Sequence, residues 1–241
     1  MTDSTTIYLY MAKAIKTVKS KEHLTTLLHE LDGVGHRLMQ QWIALDPIYV
    51  GQPDGANYEQ SIQKHLVASS HETAFDGLWC EFGVKEGRSL QWLIDEHPEQ
   101  PIHAFDSWQG LPEDWDHGTG VVASMACDPP EVPAHVRLHK GWFKDTVPEW
   151  RKTHTGPISF LHMDADIYSS TREVLFELNT QIRPGTIIVF DEFANFRLTS
   201  KMSNWQQHEY KALVEWIEEC SRVVQPLNRN WAYQATCVVV S

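Results

Sequence analysis

The chain has 241 residues, 42% of them hydrophobic and 10 of them Trp, which is apolar material enough for one α/β domain. With 32 Asp and Glu against 20 Lys and Arg, its net charge of −12 repels phosphate backbones and anionic membranes, so neither nucleic acid nor membrane is an expected partner. Its apolar runs fall far short of the roughly 20 residues a spanning helix needs, and the lysines near the N-terminus follow the apolar patch rather than precede it, the wrong order for a secretory signal.

From Lys13 to Ala44 the residues Leu24, Leu27, Leu28, Leu31, Leu38 and Trp42 recur at helical spacing, broken at the glycines of LDGVGH. A second helix is expected from Tyr58 to His71, so residues 1–72 read as a helical cap, part of the same domain as residues 73–241. After Gly77 short apolar runs alternate with amphipathic stretches, the pattern of β-α-β units on a parallel sheet. Strands are expected at Leu78–Gly83, Ile102–Asp106, Val136–His139, Ile158–Met163 and Thr186–Asp191, with helices at Arg88–Glu96, Ser170–Gln181 and Gln206–Cys220. The last two strands, Arg222–Leu227 and Gln234–Val240, are joined by a turn too short for a parallel crossover and must pair antiparallel. The fold class is therefore α/β, a Rossmann-like, mostly parallel sheet closed by a C-terminal hairpin. Cys80, Cys127, Cys220 and Cys237 form no C-x-x-C pair and read as reduced thiols of a cytoplasmic protein, and no zinc signature accompanies the histidines.

In such sheets ligands bind beyond the carboxyl ends of the strands, where the strand order reverses. The first strand delivers WCEFGVKEGRS to that place, with Gly83 and Gly87 bracketing the turn and Arg88 and Ser89 opening the next helix. Glu81, standing where a pyrophosphate would pass, repels phosphate and welcomes an ammonium or a sulfonium. The second strand ends in FDSWQGLPE, setting Asp106 and Ser107 at the distance along the chain from which an acid reaches ribose hydroxyls. Together these residues suggest a nucleoside without a diphosphate, S-adenosylmethionine rather than NAD, and Asp164 falls at the same crevice. Trp142 and Phe143 either stack on an adenine or belong to the core.

The fourth strand runs into FLHMDADIYSS. Side chains two apart on an extended segment share a side at about 7 Å, so Asp164 and Asp166 can face one crevice, where Asp191 and Glu192 arrive from the next strand. Either acid pair alone could be a turn or a helix cap. Two pairs at neighbouring strand tips would raise each other's pKa values unless a cation lay between them, and an all-oxygen set favours a hard ion such as magnesium. His162 is expected to pack under a helix in preference to serving as a second base, and the hydroxyls of Tyr168, Ser169, Ser170 and Thr171 to cap the following helix. Arg88 makes a local ion pair or meets the methionine carboxylate; His208 and Glu209 touch the acceptor or lie on a solvated helix face.

The ordered segments EFGVKEGRS, AFDSWQGLPE, GWFKDTVP, FLHMDADIYSS and IIVFDEF, spanning Gly77 to Phe193, resemble the macrocin O-methyltransferase family, which includes sugar O-methyltransferases of macrolide and aminocoumarin biosynthesis. The resemblance implies a class I methyltransferase fold that uses S-adenosylmethionine and magnesium to methylate a hydroxyl of a small polyhydroxylated acceptor. By position it implies Asp164, Asp191 and Glu192 as metal ligands and Asp166 as general base. The family carries two aspartates where this chain has Asp191-Glu192, and the segment NFRLTSKMSNWQQHEYKA departs from it, so the acceptor is not carried over. The apolar patch IYLYM with Trp42 and Ile43 either meets a second copy in a homo-oligomer or docks on its own sheet.

Overall fold

Seven strands line up in the order β3-β2-β1-β4-β5-β7-β6 in the computed structural model, which describes residues 33–48, 58–113, 115, 126–196, 202 and 204–241. They are β1 (Leu78–Phe82), β2 (Ile102–Asp106), β3 (Val136–Lys140), β4 (Ile158–Met163), β5 (Ile182–Phe190), β6 (Val224–Arg229) and β7 (Ala235–Val239). The first five pair in parallel, whereas β7 runs antiparallel to both β5 and β6. The helices are α1 (Gly33–Ala44), α2 (Tyr58–Ser70), α3 (Arg88–Glu96), α4 (Phe143–Arg151), α5 (Tyr168–Glu177) and α6 (Glu209–Glu219), the last entered through a 3-10 turn at Trp205–Gln207.

The central strands are buried on both sides: every residue of β4 is buried, as expected of a parallel strand covered by helices on two faces. The winding reverses between β1 and β4, and there the carboxyl ends separate to leave a crevice. β5 begins before the expected Thr186, because Arg183-Pro184-Gly185 continues the strand, with Gly185 at φ +93° over the Phe75 ring.

The described part of the N-terminal segment is bound into the same core. α1 packs on β6 and α6, and α2 on α3, β5 and β6. Trp42 is fully buried, its indole donates to the Thr236 carbonyl at 3.3 Å, and its own carbonyl accepts from the Arg229 guanidinium at 2.8 Å. Trp42 and Ile43 thus face their own sheet, which removes them as a surface for a second copy; the IYLYM patch lies outside the described residues. The first part of the helix expected from Lys13, with its leucines, also lies outside them.

Candidate active site

At the tips of β1 and β4 the backbones nearly touch. Gly83 adopts φ +89°, and a Cβ there would lie 1.7 Å from the Asp164 carbonyl oxygen, so only glycine allows β1 to end beside β4. The turn that follows is held by Asp106 from β2, whose Oδ2 accepts the N–H groups of Val84 and Lys85 at 2.8 and 2.9 Å and whose Oδ1 accepts that of Trp108 at 2.7 Å. Above these tips opens a cleft of about 590 Å³, running from Asp106 and Ser107 past Trp142 and Phe143 to the acids of β4 and β5.

Asp164, Asp166 and Glu192 each offer a carboxylate oxygen within 4.8 Å of the others. Strand alternation does not bring the two aspartates together: β4 stops at Met163, the chain turns so tightly that the Ile167 N–H donates to the Ala165 carbonyl at 2.6 Å, and Asp166 sits in the left-handed region at φ +60°. A non-glycine residue there stores strain that its surroundings must impose. Loss of solvent, followed by the charges of Asp191 and Asp166, holds Asp164 well above the usual carboxylate range. Burial, followed by the charge of Asp191, raises Asp166 to about 8, and burial, followed by the charges of Asp164 and Asp191, raises Glu192 well above its ordinary value. The Glu192 Oε2 atom is buried without a hydrogen-bond partner.

Asp191 stands apart from this trio. It lines the cleft, but its Oδ1 accepts from the Gln234 amide and faces the His162 Nε2 at 3.4 Å. His162 is fully buried, and its other ring nitrogen meets Glu81 Oε1 at 3.0 Å. Burial alone would lower its pKa; the hydrogen bonds to Asp191 and Glu81 outweigh that and raise it to about 10. It is therefore neither a base in the cleft nor simple packing, but a bridge between β1 and β5.

Three of the residues expected at the cofactor lie off the cleft. Glu81 is fully buried and bonded to Ser89 Oγ at 2.6 Å and to His162, because its strand position points it into the sheet layer; Gly87 instead abuts Pro130. Gly83, Arg88, Asp106, Ser107, Trp142, Phe143 and Asp164 do line it. Arg88 also pairs with Glu59 at 3.6 Å. Trp142 is the N-cap of α4, a helix not anticipated in GWFKDTVPEWR, and Phe143 meets Phe82 edge-on. The expected hydroxyl cap of α5 is absent: Ser169 donates to Glu113, Thr171 to the Ile167 carbonyl and Tyr168 to Glu215.

Glu209 corrects a second expectation. It is fully buried, on neither a solvated face nor the cleft wall, and its two oxygens accept the N–H groups of Ala165 at 3.3 Å and Glu192 at 3.0 Å. No sequence signal marks it, since its partners are backbone groups far away along the chain.

Residues 80–193 match a family described as a methyltransferase domain. The match covers a little under half of the chain. Mycinamicin III 3''-O-methyltransferase of Micromonospora griseorubida is 28% identical over 54% of this chain and 60% of its own length. The 8-demethyl-8-(2,3-dimethoxy-alpha-L-rhamnosyl)-tetracenomycin-C 4'-O-methyltransferase of Streptomyces olivaceus is 37% identical over 24% of this chain and 22% of its own. The chain thus spans less than two thirds of these curated relatives. Among solved structures, CalS11, a calicheamicin methyltransferase, superposes with a TM-score of 0.58 at 20% identity, covering 90% of both chains, so the two share a Rossmann-like fold. The matched region begins in β1 and ends just after Asp191-Glu192, so the cleft and its acids lie within the match, whereas Glu209 and Gln234 lie beyond it.

Proposed function

We propose that the protein is an S-adenosylmethionine-dependent O-methyltransferase acting on a hydroxyl of a small polyhydroxylated molecule, a sugar or a sugar-bearing natural product, with the help of a hard divalent cation such as magnesium. The observation that carries this reading is the convergence of Asp164, Asp166 and Glu192 within 4.8 Å at the floor of the cleft, one of whose oxygens, Glu192 Oε2, has no hydrogen-bond partner. Unit negative charges at that separation repel by on the order of 3 kcal/mol per pair at an effective dielectric near 20, and an all-carboxylate donor set suits magnesium.

Asp164, Glu192 and the second oxygen of Asp191 would hold the cation. The bonds from Gln234 and His162 to Asp191 Oδ1 support this, because ligating carboxylates are characteristically fixed by such partners. When bound, the cation acidifies an aliphatic hydroxyl and orients it. Asp166, buried beside the ligands, accepts the hydroxyl proton at its carboxylate as the oxygen takes the methyl group. At the other end of the cleft Asp106 and Ser107 border the space for the ribose, and Trp142 and Phe143 that for the adenine. The free, buried thiols of Cys80 and Cys237 support a reducing, cytoplasmic setting, and among the described residues no helix is long and apolar enough to cross a membrane.

The test is transfer of labelled methyl from S-adenosylmethionine to a panel of sugars and glycosylated natural products, with and without EDTA. Loss of turnover in EDTA at unchanged S-adenosylhomocysteine affinity is expected. Turnover indifferent to EDTA would reduce the acids to polar lining, and NADH binding without S-adenosylhomocysteine binding would point to a reductase.

A further inference from the structure

Two acidic strand tips that repel each other need support from the chain itself to fix their distance. From the Asp191-Glu192 turn the backbone of residue 192, and from the Asp164–Asp166 turn that of residue 165, both direct an N–H at the same side chain, Glu209 at the start of α6. Its carboxyl group is fully buried and uses one oxygen for each. Ala165 lies between Asp164 and Asp166, so each of the two contacts is made within the very turn that presents the acids. We infer that Glu209 is a positioning residue: a two-armed clamp that sets the spacing of the carboxylates by gripping their backbones, without touching ligand. The clamp rests on the metal-site reading for its purpose, though not for its existence.

The placement gives an acid a structural task at a location already crowded with them. A carboxylate has acceptors at both oxygens and no obligatory donor, so it satisfies two converging N–H groups at once. An amide presents one oxygen and one NH2; whichever way it turns, a donor faces one of the two N–H groups. Glu209→Gln therefore breaks one arm with almost no change in volume, and Glu209→Ala removes both. α6 is otherwise anchored by Tyr210, Leu213, Trp216 and Ile217, which are buried in the core, so the helix retains its packing when the acid is changed.

The experiment reads amide hydrogen exchange at Ala165 and Glu192, together with Mg2+ affinity by calorimetry, in the full chain, in Glu209→Gln, in Glu209→Ala and in Glu218→Gln, an exposed change on the same helix. S-adenosylhomocysteine affinity, expected to change less than twofold, reports that each variant is folded. Both amides should be protected in the unaltered protein. Glu209→Ala should speed exchange at both, Glu209→Gln at one more than the other, and each should weaken Mg2+ binding by roughly tenfold or more, the usual cost of losing an outer partner of a metal ligand, while turnover returns at saturating Mg2+. Unchanged exchange in Glu209→Ala overturns the clamp whatever the metal does. Faster exchange with undiminished Mg2+ affinity overturns its positioning role. Failure of the unaltered protein to bind Mg2+, with its amides still released by Glu209→Ala, sinks the metal reading and leaves the clamp standing.

Discussion

Gly83 and Asp164 share a space that admits no extra atom. Replacing Gly83 by alanine puts a methyl group 1.7 Å from the Asp164 carbonyl at φ +89°, so a loss of at least about 1–3 kcal/mol in urea denaturation is expected from backbone strain and overpacking, along with weaker cofactor binding. At Asp166 the expectation is opposite in kind: Asp166→Asn keeps the shape but removes the proton acceptor, and kcat should drop by roughly a hundredfold or more with S-adenosylhomocysteine affinity intact. A fall in affinity equal to the fall in kcat would give Asp166 to cofactor binding instead. These residues could be picked out of the sequence because acids and glycines at strand ends are visible as such. Glu209 could not, since a glutamate that serves distant backbone N–H groups resembles any glutamate at the start of a helix.

At the scale of the elements, β2, β4 and α3 keep the bounds their sequence patterns give, because each is a short run of strong periodicity bounded by Gly, Pro or polar residues. α4 was hidden by its brevity and by Pro148, a residue that ordinarily ends helices, and its identity rests on Val147 and Trp150, which only the sheet reveals as buried. That helix carries Trp150 and is followed by His154, whose rings cover His103 of β2, which in turn bonds His139 of β3 at 3.1 Å. Burial first, then neighbouring positive charge, lowers both His103 and His139 to about 4. The unfolded chain takes protons on these side chains near pH 6.5 and the folded one does not until about 4, so their contribution makes stability fall as pH drops through that window and is nil above it. The urea midpoint should decrease from pH 7 to pH 5 by an amount worth about 1 kcal/mol after allowance for solvent screening, and the doubly substituted His103→Gln, His139→Gln protein should show a smaller decrease. An equal decrease in both proteins would place the dependence elsewhere.

Across the whole molecule, the sheet is a frame that brings remote acids to one crevice. Parallel winding places the β4 and β5 tips side by side, and the reversal between β1 and β4 opens the cleft beside them. The topology was legible because β-α-β alternation admits few arrangements, and the position of the cleft followed from it. What the sequence withheld was the inner support: the Glu81, His162, Asp191 and Gln234 chain, and the clamp from α6, which depend on contacts between residues far apart along the chain. The most direct measurement is calorimetric titration of Mg2+ into the S-adenosylhomocysteine-loaded protein and into its Asp164→Asn variant. One equivalent should bind the unaltered protein, with affinity lowered at least tenfold in the variant. Absence of Mg2+ binding at millimolar concentration to protein that has taken up S-adenosylhomocysteine, or equal binding by both proteins, would contradict a cation held between the two strand tips.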